Sequence, residues 1–394
     1  MNLHYRNIKF FLSQTLKRLI KAVKLLKQQR RSIKYIYKKF GFRAVYNFIW
    51  AKLFVKEAGP AVLNPLFSVF PLLAPLPTHI EIEITTCCNL KCAVCEQRYW
   101  HEKPRSVTFD EFKRIVNEFP KLKWVGLAGI GSNFVHPLFM DFLEYLKKKH
   151  IYVEFTDHFN NVEEDEMKKI IDIGVDRIII SMDAFKKETY ESIKIGANYD
   201  QVVANIRKFI ELKKKTCSPL PEIFFRYILT KQNIEEAPLF LDFIASLGKI
   251  TDLGDGSLVE FIGLLNFKEI SDDYYLDKIP QEIADILKQK SEQSNIPITF
   301  SHQHPQSRRP RFACAAWVEP FIFATGDVIS CCATNEANQR DFQRAQSFGN
   351  IFEKPMKEIW HSPKYRDFRK NVPRINGKVY PICQNCRITQ MNPD

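Results

Sequence analysis

The sequence predicts an α/β protein: a partial (β/α)6 barrel of the TIM type, preceded by a basic helical N-terminal extension and followed by a small cysteine-bearing module. Three observations lead to that reading. From residue 79, short β-branched runs alternate with amphipathic stretches of helical length. Nine of the ten cysteines fall in two groups, residues 87–95 and 314–386, with Cys217 alone between them. The net charge of +13 resides in residues 1–56, which carry fifteen Lys and Arg and no acid, whereas the remaining 338 residues hold 43 basic and 45 acidic side chains.

The extension spans residues 1–77. Between Ile8 and Leu26 the apolar residues Ile8, Leu12, Leu16, Leu19, Val23 and Leu26 recur at steps of three or four, and Lys9, Lys17, Lys21 and Lys24 fall largely outside that stripe. This pattern predicts an amphipathic helix with a cationic face. A second basic stretch, 33–55, is rich in aromatic rings, Tyr35, Phe42, Tyr46 and Trp50 among them, and rings beside cations suit the headgroup region of a bilayer. The apolar run 58–77 contains Pro60, Pro65, Pro71, Pro75 and Pro77, each of which removes an amide donor, so it is not read as a membrane span. Two readings of the extension stand side by side: attachment to an anionic membrane surface through residues 1–56, or a helical cap folded onto the barrel with its lysines solvated. Nucleic acid is disfavoured, since no recognised binding motif accompanies the charge. A transit peptide fits poorly, because the segment is long and poor in serine.

Residues 78–273 carry the barrel. Strands are expected at 80–84, 124–128, 151–156, 176–181, 222–229 and 258–264, and helices near 108–118, 137–149, 163–173, 199–214 and 234–247. Strands separated by helix-length segments imply right-handed βαβ units and a parallel sheet, with chemistry at the C-terminal ends of the strands. Residues 274–310 read as one further helix and a linker, and the cysteine-bearing module occupies 311–394.

A chain of 394 residues needs no disulfide staples, and neither group of thiols follows a signal peptide, so a reducing cytoplasm and metal ligation are expected. The first group, Thr85-Thr86-Cys87-Cys88-Asn89-Leu90-Lys91-Cys92-Ala93-Val94-Cys95, follows directly on the first strand. Cys88, Cys92 and Cys95 offer three thiolates where a 4Fe-4S cube takes four, which leaves one iron for another ligand. Adjacent cysteines point differently, so Cys87 is read as a packing residue. The alternative is a zinc site, which prefers paired Cys-x2-Cys units and four ligands.

Cys88-x3-Cys92-x2-Cys95 after a first strand resembles the signature of the radical S-adenosylmethionine superfamily, and the resemblance continues for about 180 residues. It implies that the open iron is chelated by the methionine moiety of S-adenosylmethionine, and that an electron from the cluster breaks the S to C5′ bond. The deoxyadenosyl radical then removes a hydrogen atom from substrate. It further implies an electron donor such as flavodoxin or ferredoxin. Val125 to Ser132, with Gly129 and Gly131, resembles the glycine-rich turn that approaches the methionine, with Ser132 where the family usually has Glu. Ser181-x-Asp183 resembles the ribose-binding position, and Arg226 matches a basic position suited to the methionine carboxylate. Read without the resemblance, Ser181 and Asp183 are helix-capping residues and Arg226 an ion-pair partner.

In the second group, four well-placed thiols suffice for a closed cluster or a zinc. The string resembles the SPASM/twitch extension, which carries auxiliary 4Fe-4S clusters. That resemblance maps its ligands onto Cys314, Cys331, with Cys332 as an alternative, Cys383 and Cys386. It implies one auxiliary cluster, since the longer form of the extension has further cysteines after the Cys-x2-Cys. The expected function is hydrogen abstraction from a peptide or small metabolite, in the cytoplasm. A membrane lipid or lipid-linked precursor is the alternative substrate, with the enzyme peripheral to the membrane. A non-catalytic iron-sulfur electron carrier or scaffold is the reading from another class.

Overall fold

The computed structural model describes residues 20, 22–53, 70–100, 102–265, 267–301, 319–330 and 340–371. Among the described residues nine strands form one sheet: β1 (His79–Ile82), β2 (Trp124–Leu127), β3 (Tyr152–Asp157), β4 (Arg177–Ser181), β5 (Glu222–Leu229), β6 (Leu258–Gly263), β7 (Ile298–Ser301), β8 (Phe321–Ile322) and β9 (Val328–Ile329). Their order is β7-β6-β5-β4-β3-β2-β1-β8-β9, parallel from β7 through β8, with β9 returning antiparallel. The six expected strands are all present. The segment read as helix and linker adds a seventh, Ile298–Ser301, after the helix Gln281–Ser294, and it pairs parallel with β6. Four residues behind a proline are too few to declare a strand on their own.

Period-two alternation divides the strands into two faces. Ile80, Ile82, Val125, Leu127, Val153, Phe155, Ile178, Ile180, Ile223 and Phe225 face the helices and join one large core with residues such as Phe112, Phe142, Leu146 and Ile170. The alternate positions line the inside of the open barrel and are mostly polar: Glu81, Glu83, Glu154, Arg177, Ser181, Arg226 and Glu260. Helices begin where caps favour them. Thr108 accepts from the Glu111 amide while Glu111 accepts from the Thr108 amide, a capping box that opens Phe109–Asn117.

The N-terminal helix Arg30–Trp50, kinked at Gly41 (φ 81°), closes the bottom of the barrel. Ile36, Val45, Phe48 and Ala51 pack on Trp124, Tyr152 and Leu220, at or near the starts of β2, β3 and β5. Beyond the helix, Lys52 Nζ reaches Glu222 Oε2 at 2.5 Å, and Arg177 bridges Glu222 (3.1 Å) and Glu154 (2.9 Å). This part of the extension is therefore a structural cap. Half of the aromatic stretch assigned to a bilayer is thus spent on packing, although Tyr37, Phe42 and Tyr46 stay exposed. Most of the expected helix at 8–26 lies outside the described residues. Among the described residues no helix is long and apolar enough to cross a membrane.

Candidate active site

Residues 83–95 leave the C-terminal end of β1, opposite the cap. The loop is pinned by hydrogen bonds from the Thr86 amide to Arg105 O (2.8 Å), the Lys91 amide to Ile195 O (2.8 Å) and the Ala93 amide to Ile193 O (2.7 Å). Cys88, Cys92 and Cys95 are held close enough that Cys92 raises the thiols of both neighbours, and Cys88 also raises Cys95. Burial is the largest cause in all three and pushes each thiol up. Buried thiols of this kind ionise only beside positive charge, which bound iron supplies. Cys87 is turned aside: its Sγ lies 3.9 Å from Ser106 Oγ, in keeping with a packing role. Among the described residues no three His, Cys, Asp or Glu side chains converge on a point that would hold a single ion. A cube makes a different demand, because each thiolate binds its own iron.

The glycine-rich turn packs on this loop. A Cβ on Gly131 would collide with the backbone oxygen of Thr85, and one on Gly129 would come within 2.6 Å of Glu83 Cγ. Their missing side chains therefore make room for the chain's own first loop, which the reading of a bare approach to cofactor did not include. Ser132 donates to Asp157 Oδ2 at 2.9 Å, and the same oxygen accepts from the Asn133 amide at 3.0 Å. Where Ser132 lacks the family's carboxylate, Asp157 stands directly behind it, and its charge is felt at Cys88.

Ser181 and Asp183 cap no helix. Asp183 Oδ1 accepts from the Ile228 amide (3.1 Å), and Oδ2 lies 2.7 Å from Lys194 Nζ, which also donates to Ser181 Oγ at 3.1 Å. Burial alone would lower Lys194, but Asp183 and Cys92 outweigh it and push the ammonium up. Arg226 is brought opposite Ser181 by the β4–β5 register, yet its Nε is engaged by Glu260 Oε2 at 2.8 Å.

Sequence reasoning missed Lys194, Asp157 and His158. None carries a motif; only the fold brings Asp157 toward Cys88 and Lys194 toward Cys92, and sets His158 beside Asp157 and Lys194. His158 Nδ1 accepts from the Asn160 amide at 3.2 Å, so the proton sits on Nε2, and burial holds the ring below its ordinary range. That Nε2, the Tyr190 hydroxyl and Glu96 Oε1 are buried without hydrogen-bond partners. Orphaned polar atoms beside three thiols fit a polar ligand bound against a cluster. Cys314, Cys331, Cys332, Cys383 and Cys386 lie outside the described residues. The module's described part is tied to the loop by Arg340, which donates to Glu83 and whose Nε lies 3.3 Å from Glu102.

Two family models match the chain: the radical SAM superfamily over residues 82–244 and an iron-sulfur cluster-binding domain, SPASM, over 314–387. A tungsten-containing aldehyde ferredoxin oxidoreductase cofactor-modifying protein of Pyrococcus furiosus is 25% identical over 79% of this chain and 87% of its own length. A GTP 3',8-cyclase of Clostridium perfringens is 28% identical over 48% of this chain, which spans 59% of that relative. Among solved structures, Streptococcus suis SuiB bound to S-adenosylmethionine superposes with a TM-score of 0.58 at 15% identity, covering 78% of this chain and 72% of SuiB. The structure of anSMEcpe with bound AdoMet gives 0.56 at 18%, covering 76% and 84%. These likenesses establish the open-barrel fold, and the two domain matches imply 4Fe-4S clusters and S-adenosylmethionine as cofactors. The chain carries a radical SAM superfamily domain over residues 82–244 and a C-terminal SPASM domain over 314–387.

Proposed function

We propose that the enzyme abstracts a hydrogen atom from a peptide or a small polar metabolite at the mouth formed by Cys88, Cys92 and Cys95. The observation that carries this is the meeting of those thiols with Lys194, Asp183 and Ser181 at the C-terminal ends of the strands. When bound by the three thiolates, a 4Fe-4S cluster with one open iron supplies the electron that cleaves S-adenosylmethionine and so generates the hydrogen-abstracting radical.

The protein's own groups do the holding. Lys194 offers its ammonium to the methionine carboxylate, steadied by Asp183, and Ser181 faces the ribose. Asp157, behind Ser132, contributes the negative charge that favours the methionine ammonium. Gly129 and Gly131 keep the glycine-rich turn close to the cysteine loop. Arg226, held by Glu260, completes the polar wall opposite Ser181. Cys314, Cys331 or Cys332, Cys383 and Cys386 would hold the auxiliary cluster, and a one-electron donor of the flavodoxin or ferredoxin class would reduce the enzyme.

A polar substrate is favoured by the cleft of about 760 Å³ that opens among the described residues between the segment after the cysteines and the C-terminal module. Its lining sets Glu102, Lys103, Arg105, Arg340 and Asp341 beside Tyr99, Trp100 and Pro104. Relatives point the same way: SuiB is known bound to its precursor peptide and anSMEcpe to peptides, and two curated relatives are a cofactor-modifying protein and a GTP cyclase. The test is to ask which class of candidate substrate, peptide, polar metabolite or lipid, raises 5′-deoxyadenosine formation above the substrate-free rate. Stimulation by peptide or polar metabolite supports the proposal, and stimulation confined to lipid overturns it.

A further inference from the structure

The helix Arg30–Trp50 is two-sided. Its inner face holds Ile36, Val45 and Phe48 against the strand starts, as described above. Its outer face carries exposed rings: Phe42 is 73% exposed, Tyr37 62% and Tyr46, which also meets Trp50 and Lys123, 47%, and just before the helix Ile20 is 61% and Val23 52% exposed. Only Ile195 and Leu239 are comparably exposed large hydrophobic side chains in the described residues after 73.

Cations interleave with these rings. Lys34, Lys38 and Arg43 are exposed on the same helix and Lys24 and Lys27 precede it, and among the described residues none of them forms an ion pair. At the margin Arg31 meets Asp255 at 3.8 Å and Lys39 meets Asp172 at 4.0 Å. Residues 1–56 contain no acid at all.

We infer that this face docks on the surface of an anionic lipid bilayer, with the bottom of the barrel toward the headgroups. Exposed rings flanked by Lys and Arg match the two attractions such a surface offers, shallow apolar insertion and about 1 kcal/mol per basic residue that reaches it. The orientation follows from the fold. The helix sits on the N-terminal ends of the strands and the cysteine loop leaves the C-terminal end of β1, so the strands stand between the two. At about 3.3 Å per residue the six residues of β3 alone separate them by roughly 20 Å. Docking therefore turns the cysteine mouth away from the bilayer, and the enzyme meets its substrate from the aqueous side.

The test is co-sedimentation of the full chain with vesicles of phosphatidylcholine alone or mixed with phosphatidylglycerol. Wild type is expected to pellet with the mixed vesicles at low salt and to be released as salt rises. Tyr37→Asp with Phe42→Asp, and separately Lys34→Glu with Lys38→Glu and Arg43→Glu, are each expected to lower vesicle affinity at least tenfold. These side chains point outward, so circular dichroism melting should match wild type. Hydrogen exchange on the vesicle-bound protein should slow at 34–46 and leave 85–95 unchanged. Equal binding to neutral and anionic vesicles, wild-type partitioning of both variants, or protection of 85–95 instead of the helix would overturn the inference. So would sedimentation showing a lipid-free dimer that both variants dissolve, which would assign the face to a second copy of the chain.

Discussion

Lys194 Nζ lies 2.7 Å from Asp183 Oδ2, and the second oxygen of Asp183 accepts from the Ile228 amide at 3.1 Å. The pair joins the end of the helix Lys187–Ile193 to β4 and β5 beside Cys92. Lys194→Met is expected to weaken S-adenosylmethionine binding about tenfold or more, the size of a lost charge-assisted hydrogen bond. Because a lone buried Asp183 would itself destabilise the fold, the double variant Lys194→Met with Asp183→Asn should regain thermal stability without regaining affinity. Equilibrium dialysis on iron-loaded protein reads the effect. Wild-type affinity in Lys194→Met would make the lysine purely structural.

Glu83 gathers the top of the barrel. It accepts from Arg340, from the Ala324 amide at 3.3 Å and from the Ile130 amide at 3.5 Å, joining β1, the glycine-rich turn and the C-terminal module. Glu83→Gln should cost about 3 kcal/mol by stranding Arg340 in a buried position, with the module becoming sensitive to protease before the barrel does. A chemical denaturation curve and a timed proteolysis series check this. Unchanged stability would mean that Phe323, 3.7 Å beneath the Arg340 guanidinium, and Glu102 suffice to hold it.

At the other end, the cap makes stability depend on acid. Burial would raise Glu222, but Lys52 and Arg177 outweigh it and hold the carboxyl at about 2 instead of 4.5. The unfolded chain therefore takes up this proton first as pH falls. The contribution is fully present above 4.5 and is lost progressively toward about 2, amounting to about 3 kcal/mol at most. Urea midpoints measured down this range should fall less steeply in Glu222→Gln than in wild type. Parallel slopes would show that other carboxylates govern acid unfolding.

Iron content separates the two thiol groups. Reconstituted anaerobically, the chain should bind two 4Fe-4S clusters, about eight irons, and replacing Cys88, Cys92 and Cys95 together by Ala should remove about half. Zinc in the C-terminal group, or iron unchanged by the triple substitution, would refute the ligand assignment.

The strands were legible because each combines β-branched residues with turn signals, and the cysteine spacing is a local pattern that no folding rearranges. What the sequence concealed depends on contacts between distant residues. Lys194 reads as an ordinary helical lysine until it closes on Asp183 and Ser181. Asp157 is one acid among many until the β2 and β3 ends bring it behind Ser132. Gly129 and Gly131 signal close approach, but what approaches them, Glu83 and Thr85, emerges only from the packing of two loops. The aromatic N-terminal stretch misled in part for a related reason: composition names the residues suited to a bilayer, whereas helix phase decides which of them turn inward to Trp124 and Tyr152.

The most direct test of the central claim is anaerobic incubation of reduced, iron-loaded protein with S-adenosylmethionine and no substrate, with 5′-deoxyadenosine measured by chromatography. Slow but definite formation by wild type, and none by Cys92→Ala, is the predicted result. No 5′-deoxyadenosine from fully loaded, reduced wild type, or equal amounts from Cys92→Ala, would contradict it.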